Sequence, residues 1–471
     1  MSTIKQTSPK DTLTLGKQRS YSEVVEFFDK NWTTSRDGKS VERMKSLDKL
    51  FSNSSQKVSS VLIGGTNGKS LTAHFSSKLL QREGLTTGIF YAPHLLTYNE
   101  RFVLNNEIIS NKLFTDFANE VILAAENANI KANTYELLTQ MALNYFVENK
   151  VDVALLEVNE GGGSSAPAVC IPKVAAITRI TAEDTDSSGL ASDKILKEYL
   201  GIVGKGTHLV SADQNKTHLK IMTEWAEKNG GQWAMPIRKL VPLEYPFEQL
   251  HGRCAALAER ISSIFINSFA NKNTVFHSDS LLAKKKGQRG RPTLKAKRES
   301  ELNPKRTIEH FWKETLNELP GRFQLLDKEK PTLLLDNAHN VDAFENLFLG
   351  IRLLHYQRPL KGLVLIVGCH KDSIEPEVFA KLVRYFFKKT VGQIILCPLN
   401  TPSEWKNESW NVEKVNHALK GVKVKTRIAL SFKEAFEVAK KTVNDRYGLI
   451  VVTGSSSILT EYWNYKGIKK V

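Results

Sequence analysis

The chain has 471 residues, enough for two or three domains with ample core. Its 41% hydrophobic and 25% charged residues match an ordinary soluble protein, and no apolar run approaches the roughly 20 residues a bilayer span needs, so a membrane protein is excluded and cytoplasmic residence expected. The net charge of +16 predicts anionic partners.

The first informative stretch is VLIGGTNGKSLTAHF, residues 61–75. A β-branched run reads as a buried strand, the small residues Gly64 to Gly68 as a tight loop, and residues 69–83 as a helix. Glycines let backbone N–H groups approach phosphate oxygens, and the helix N-terminus adds partial positive charge. Gly65, Thr66, Asn67, Gly68, Lys69 and Ser70 are therefore candidate ATP contacts, with Lys69 reaching the outer phosphates and the Ser70 hydroxyl offered to Mg²⁺.

Downstream, the pattern predicts a strand at 87–91, an irregular stretch to 109, a helix from about 111 and another at 135–149. Buried strands follow at 153–158 and 174–180, separated by a glycine-rich segment. Helices at 192–203 and 217–228 flank a strand at 208–211. This alternation means an α/β domain built on a mostly parallel sheet.

Residues 284–298, KKKGQRGRPTLKAKR, hold eight basic residues and no acid, half of the net charge. The segment lacks periodicity and reads as a mobile basic insertion over about 284–306. Its core, Arg289-Gly290-Arg291-Pro292, resembles an AT-hook, a motif that binds the DNA minor groove; a solvated basic loop beside an anionic substrate fits equally.

A second alternation begins at 331, with strands at 333–335, 363–367, 394–397, 422–425 and 449–452, and helices such as 375–388 and 432–441 between them. It predicts a smaller Rossmann-like domain over 319–471, after a P-loop-type ATPase domain over 1–318. Ligands in such folds sit at carboxyl ends of strands, where Asp336, His339 and Asn340 fall. Cys170, Cys254, Cys369 and Cys397 are scattered, which fits a reducing compartment rather than zinc or a disulfide frame.

Several of these stretches, in this order, resemble the Mur ligase superfamily and within it the folylpolyglutamate and dihydrofolate synthases. The carriers are Gly65 to Lys69, Tyr91-Ala92-Pro93-His94-Leu95 with Asn99-Glu100-Arg101-Phe102, the strand ending at Glu157, Leu319-Pro320-Gly321-Arg322-Phe323, and Leu335-Asp336-Asn337-Ala338-His339-Asn340. The resemblance implies ATP- and Mg²⁺-dependent ligation of L-glutamate to a folate or dihydropteroate carboxylate through an acyl phosphate, by a monomer. It implies that Arg322, Asp336 and His339 grip nucleotide, that Glu157 holds metal and that His94 contacts substrate.

The same comparison exposes departures. A family serine that ligates Mg²⁺ is Ala92 here, a carbamylated lysine aligns with Tyr199, and a metal-binding histidine aligns with Asp184. A carboxylate is a good oxygen ligand, so Lys69, Glu157 and Asp184 are the expected catalytic set and Ser70, Glu157 and Asp184 the metal set. The alternative is a catalytically impaired nucleotide-binding homologue, associated with nucleic acid through the basic insertion.

Overall fold

The computed structural model describes residues 18–32, 37–159, 161–181, 190–234, 247–270, 319–400 and 408–469. Asp184 and the basic insertion lie outside them. Among the described residues no helix is long and apolar enough to cross a membrane.

The first sheet has eight strands: β1 (Ser60–Gly64), β2 (Thr87–Phe90), β3 (Phe102–Leu104), β4 (Glu107–Ile108), β5 (Val153–Glu157), β6 (Val174–Ile177), β7 (His208–Ser211) and β8 (Gln232–Trp233). Their order is β4-β3-β2-β5-β1-β6-β7-β8, parallel except for the β2-β3-β4 edge. β1 is central and buried along its length, as expected for a strand read as a continuous apolar run. Its chain neighbours in space diverge, β5 on one side and β6 on the other, so a crevice opens at its carboxyl end.

The pleat sends Leu62 to one face and Val61 and Ile63 to the other. Leu62 joins the core beneath helices Asn111–Asn127 and Thr134–Glu148, whereas Val61 and Ile63 pack under helices Lys69–Arg82 and Phe247–Phe269. The result is a three-layer α/β/α sandwich.

The second sheet comprises β9 (Gln324–Leu326), β10 (Thr332–Asp336), β11 (Leu363–Val367), β12 (Gln393–Leu396), β13 (Lys425–Ile428) and β14 (Leu449–Thr453), in the order β13-β12-β11-β14-β10-β9. Only β9 runs antiparallel. Helices Val341–Gln357 and Pro376–Phe387 cover one face, Phe432–Thr442 and Ser456–Tyr465 the other.

Three expectations need correction. The stretch expected to be irregular up to residue 109 contains β3 and β4, joined by Asn105 and Asn106 in the left-handed conformation that a two-residue hairpin turn demands. The strand expected at 422–425 is β13, three residues later, because Val422 is buried in the helical layer instead. The 23-residue helix Phe247–Phe269 was not expected at all, yet it packs along Lys69–Arg82 and forms one wall of the cleft between the sheets.

Candidate active site

The cleft has a volume of about 280 Å³ and is bordered by residues from both lobes. Its floor is the loop after β1. Gly65 has φ +125°, and a Cβ there would lie 2.2 Å from the Thr178 hydroxyl; Gly68 has φ +89° and begins the helix Lys69–Arg82. No side chain caps that helix, whereas Ser20, Asn133, Asn340 and Ser455 cap others, so its first N–H groups are left for a ligand.

Backbone and side-chain bonds hold the loop open. The Thr66 N–H donates to the Arg179 carbonyl (2.8 Å), and the Thr178 hydroxyl donates to the carbonyls of Gly64 (3.2 Å) and Asn67 (2.7 Å). Lys69 Nζ folds back to the carbonyls of Gly65 (2.7 Å) and Thr66 (3.1 Å). Its charge therefore stands over the loop's concave side.

Glu157 ends β5 beside this loop and is wholly buried, with neither carboxylate oxygen in a formed hydrogen bond. Burial raises its pKa, opposed in turn by Lys69, the Ser70 hydroxyl, Arg322 and the Ala92 backbone, all of which favour the anion. Burial of a carboxylate without a partner is costly, and a divalent cation would supply the missing ligand field. Glu157 and Ser70 fit such an ion as one carboxylate and one hydroxyl, the remainder of an octahedron coming from phosphate oxygens and water. Among the described residues no cluster of three His, Cys, Asp or Glu side chains could hold a metal alone. Ala92 contributes no oxygen from its side chain, and Tyr199 is buried with its ring against Gly64.

The other wall comes from the second lobe. Arg322 Nη2 donates to the Ser70 hydroxyl (3.3 Å), and burial lowers the pKa of its guanidinium against the pull of Glu157 and Asp336. Asp336, at the end of β10, accepts N–H groups from Phe323 (2.8 Å) and Ala338 (2.9 Å), and burial pushes its carboxyl up to about 6. This bond fixes Phe323 at φ +51° and so orients Arg322. His339 is exposed at the rim, its Nδ1 2.9 Å from the Asn337 carbonyl.

Two further residues, Arg179 and Asp342, help tie the lobes together and were not picked out from sequence. Asn67 Nδ2 donates to Asp342 Oδ2 (2.8 Å) and Asn340 Oδ1 (3.1 Å), and Arg179 pairs with Asp342 at 2.5 Å. Cys254 touches Gly68, and His251 and Arg253 also border the cleft from the helix Phe247–Phe269.

His94 is placed differently. It does not border the cleft; its Nδ1 accepts from Arg101 Nε (3.0 Å) and its ring lies 4.4 Å from that of Tyr98. The neighbouring Asn-Glu-Arg is structural as well: Glu100 accepts the N–H groups of Leu95, Leu96 and Thr97, and Arg101 is completely buried. Lys69, Ser70, Glu157, Arg322, Asp336 and His339 do border one cleft.

The model of the Mur ligase glutamate ligase domain matches residues 321–456. The dihydrofolate synthase/folylpolyglutamate synthase of Bacillus subtilis is 28% identical over 319 residues, covering 65% of this chain and 70% of the relative. The folylpolyglutamate synthase of Lacticaseibacillus casei is 22% identical over 345 residues, covering 70% and 76%. Two solved structures share the fold: Mycobacterium tuberculosis folylpolyglutamate synthase complexed with ADP (TM-score 0.72, 20% identity, 95% of this chain and 98% of that one), and the Yersinia pestis bifunctional folylpolyglutamate synthase/dihydrofolate synthase complexed with AMPPNP and Mn ion (0.71, 20%, 96% and 100%). With two mostly parallel sheets meeting at a phosphate-loop cleft, the chain is similar in fold to folylpolyglutamate synthase/dihydrofolate synthases, is similar in sequence to those of Bacillus subtilis and Lacticaseibacillus casei over about two thirds of its length, and matches the Mur ligase glutamate ligase domain over residues 321–456.

Proposed function

We propose that the protein is an ATP-dependent carboxylate-amine ligase that joins L-glutamate to the carboxylate of a folate or dihydropteroate. The observation that carries this reading is the convergence of Lys69, Ser70, Glu157 and Arg322, from both lobes, at the carboxyl end of β1. Cations at that point oppose the charge that builds on a transferring phosphoryl group, and phosphoryl transfer needs positioning and neutralisation more than covalent help. Ligands named for the solved relatives, ADP, AMPPNP, Mn ion and L-glutamate, support the same substrates here.

In this reading the acceptor carboxylate attacks the γ-phosphorus, ADP leaves, and an acyl phosphate forms. The glutamate amine then attacks its carbonyl carbon, releasing phosphate and a proton and leaving an amide. The N–H groups of Gly65 to Ser70 cradle the phosphates, Lys69 and Arg322 face the outer ones, and Asp336 orients Arg322 through Phe323. Glu157 and Ser70 hold Mg²⁺, which supplies charge for the phosphates, with Asp184 as a further carboxylate. Enclosure between a lobe of residues 1–318 and one of 319–471 excludes water, which an acyl phosphate requires. His94 acts by supporting the loop above the cleft rather than by touching substrate. The setting is a monomer in the cytoplasm, in keeping with four free cysteines.

The test is ADP formation with dihydropteroate or tetrahydrofolate plus glutamate, beside Lys69→Ala. The expected outcome is ADP release that needs both organic substrates and falls at least about 100-fold in the variant. Equal rates in the two proteins would reject the reading, and ATP binding without turnover would leave a nucleotide-binding homologue.

A further inference from the structure

The segment that follows β6 braces the phosphate loop. Thr178 and Arg179 bond to the backbone of Gly64, Thr66 and Asn67, and the Thr181 N–H donates to Thr66 Oγ1 (3.1 Å). Ile180 turns its N–H the other way, to Asp213 Oδ2 in the turn after β7 (3.2 Å). Asp213 is 3% exposed, and its counter-charge is His218, 1% exposed on helix Lys216–Lys228, whose Nδ1 lies 2.8 Å from the same oxygen. Across the ring, Nε2 lies 3.3 Å from Asp193 Oδ1 and 3.3 Å from the Ser192 hydroxyl, both in the first turn of helix Leu190–Leu200.

That helix is a second brace. Its Tyr199 ring closes on Gly64 at the root of the phosphate loop, where a Cβ would lie 2.6 Å from it. The Glu198 carbonyl meets Gly162, and Gly201 meets Gly163, in the glycine turn after β5 and Glu157. One buried imidazole therefore joins both supports of the loop, from outside the cleft.

Both ring nitrogens face carboxylates, and only the doubly protonated ring donates to both. The Asp213 hydrogen bond, against the pull of burial and with the charges of Asp213 and Asp193, raises the His218 pKa above its ordinary 6.5. Burial pushes the Asp213 carboxyl up, but the His218 bond and the N–H groups of Asn215 and Ile180 outweigh it and hold that carboxyl below its ordinary value. Among the described residues the charged groups that act on the ring are Asp213, from the turn after β7, and Asp193, from helix Leu190–Leu200. When the proton leaves, Nε2 turns a lone pair toward Asp193, and Asp213 keeps a buried charge with no cation beside it.

We infer that His218, as an imidazolium, is a positioning residue for the phosphate loop, holding the 178–181 segment and helix Leu190–Leu200 together so that the loop keeps its phosphate-binding shape. The inference rests on the proposed nucleotide-dependent activity and deepens it, because phosphate affinity then depends on a proton held outside the cleft.

The experiment is calorimetric titration of the full-length protein with Mg²⁺-ADP and with Mg²⁺-tripolyphosphate, from about pH 6.5 to about pH 9.5, for wild type, Asp193→Asn and His218→Leu. Beside it, NMR follows the histidine rings labelled with carbon-13 at Cε1, the His218 signal being the one whose midpoint drops in Asp193→Asn. A histidine raised in the folded state gives its support below that raised value and loses it as pH climbs through it. In wild type both ligands should bind about fivefold more weakly above the His218 midpoint than below it, and the midpoint of that loss should coincide with the NMR midpoint. In Asp193→Asn the new amide donates to the neutral Nε2, so affinity stays within about twofold of the low-pH wild-type value throughout. His218→Leu binds both ligands weakly at every pH.

Wild-type affinity that ignores pH, a loss whose midpoint departs from that of His218, an equal loss in Asp193→Asn, or a loss confined to ADP overturns the inference. So does a melting temperature that falls with pH while both affinities hold, since His218 would then serve stability alone. The wild-type and Asp193→Asn profiles carry the test by themselves, so a failure of His218→Leu to fold does not spare it. Failure of wild type to bind either ligand at any pH rejects the nucleotide reading itself, a separate outcome from binding that ignores His218.

Discussion

Burial drives the Glu157 carboxyl up while Lys69, Ser70 and Arg322 draw it down, and burial wins. A carboxyl whose folded pKa exceeds its unfolded one costs stability as pH rises through the folded value, because the folded state must then carry the charge. Glu157→Gln keeps the shape and removes that charge. In nucleotide-free protein the variant should melt above wild type, by a margin that widens from pH 5 to pH 8, while ADP formation falls about 100-fold or more. Melting scans at both pH values together with the ADP assay check this; a variant that melts lower or keeps its rate contradicts the assignment. His251 has the opposite sign. Its folded pKa of about 4 lies below the ordinary 6.5, so its contribution is complete above pH 6.5 and is lost as pH falls toward 4. At pH 5 this amounts to about 2 kcal/mol. Asp336, pushed up to about 6, gains a proton over part of the same range and offsets some of that loss. Wild type should therefore lose more melting temperature than His251→Leu between pH 6.5 and 5, and equal losses in the two would show that the ring is not shielded.

At the scale of elements, the helix Val341–Gln357 meets the phosphate loop through its first turn. Asp342 is 7% exposed and serves both Asn67 and Arg179, so its loss strands two polar partners across the cleft. Truncating a buried, hydrogen-bonded charge costs on the order of 2 to 3 kcal/mol. Asp342→Ala should open the lobes, seen as a larger radius of gyration in solution scattering, and raise the KM for ATP at least tenfold with a smaller change in kcat. Arg179→Ala should do less, since Arg179 is half exposed. An unchanged scattering profile and KM would mean that the contact is incidental. What could be read from sequence follows from the same geometry. The phosphate loop was legible because its demands are local: Gly65 and Gly68 need positive φ, and the strand before and helix after carry their own periodicities. The Asn67, Arg179 and Asp342 contact was not, because its members lie in three remote segments and nothing in the loop pattern that holds Asn67 points to Arg179 or Asp342. The helix Phe247–Phe269 buries Ala255, Ala256, Leu257, Ala258 and Ile261, a broad apolar face that could have announced it. β3 and β4 are three and two residues long, too short for a period, although Asn105-Asn106 was a turn signal. β13 was misplaced because an edge strand alternating exposed and half-buried positions offers no apolar run.

Over the whole molecule the charge is +16, and residues 284–298 supply half of it. Its charge is expected to act on the encounter with anionic substrates. ATP and a folate polyglutamate are both polyanions, and a net positive protein draws them in at a rate that salt screens, with a Debye length of about 10 Å at 0.1 M. The expected consequence is a kcat/KM for the polyglutamate substrate that falls as ionic strength rises from 0.02 to about 0.3 M, with kcat held constant. Deleting residues 284–298 should flatten that salt dependence and lower kcat/KM at low salt several-fold, leaving kcat unchanged. Duplex DNA added as a competitor separates this role from the alternative. If the segment serves substrate capture, DNA at concentrations that saturate a tenfold excess of the protein inhibits only weakly and only at low salt. If it is a nucleic-acid arm, the full chain binds duplex with an affinity that drops steeply with salt, by a slope of about 0.9 for each phosphate neutralised, and the deletion abolishes binding without touching the salt dependence of kcat/KM. Stopped-flow kinetics and duplex titrations over one salt series distinguish these outcomes, because the same eight charges cannot produce both patterns by the same contacts.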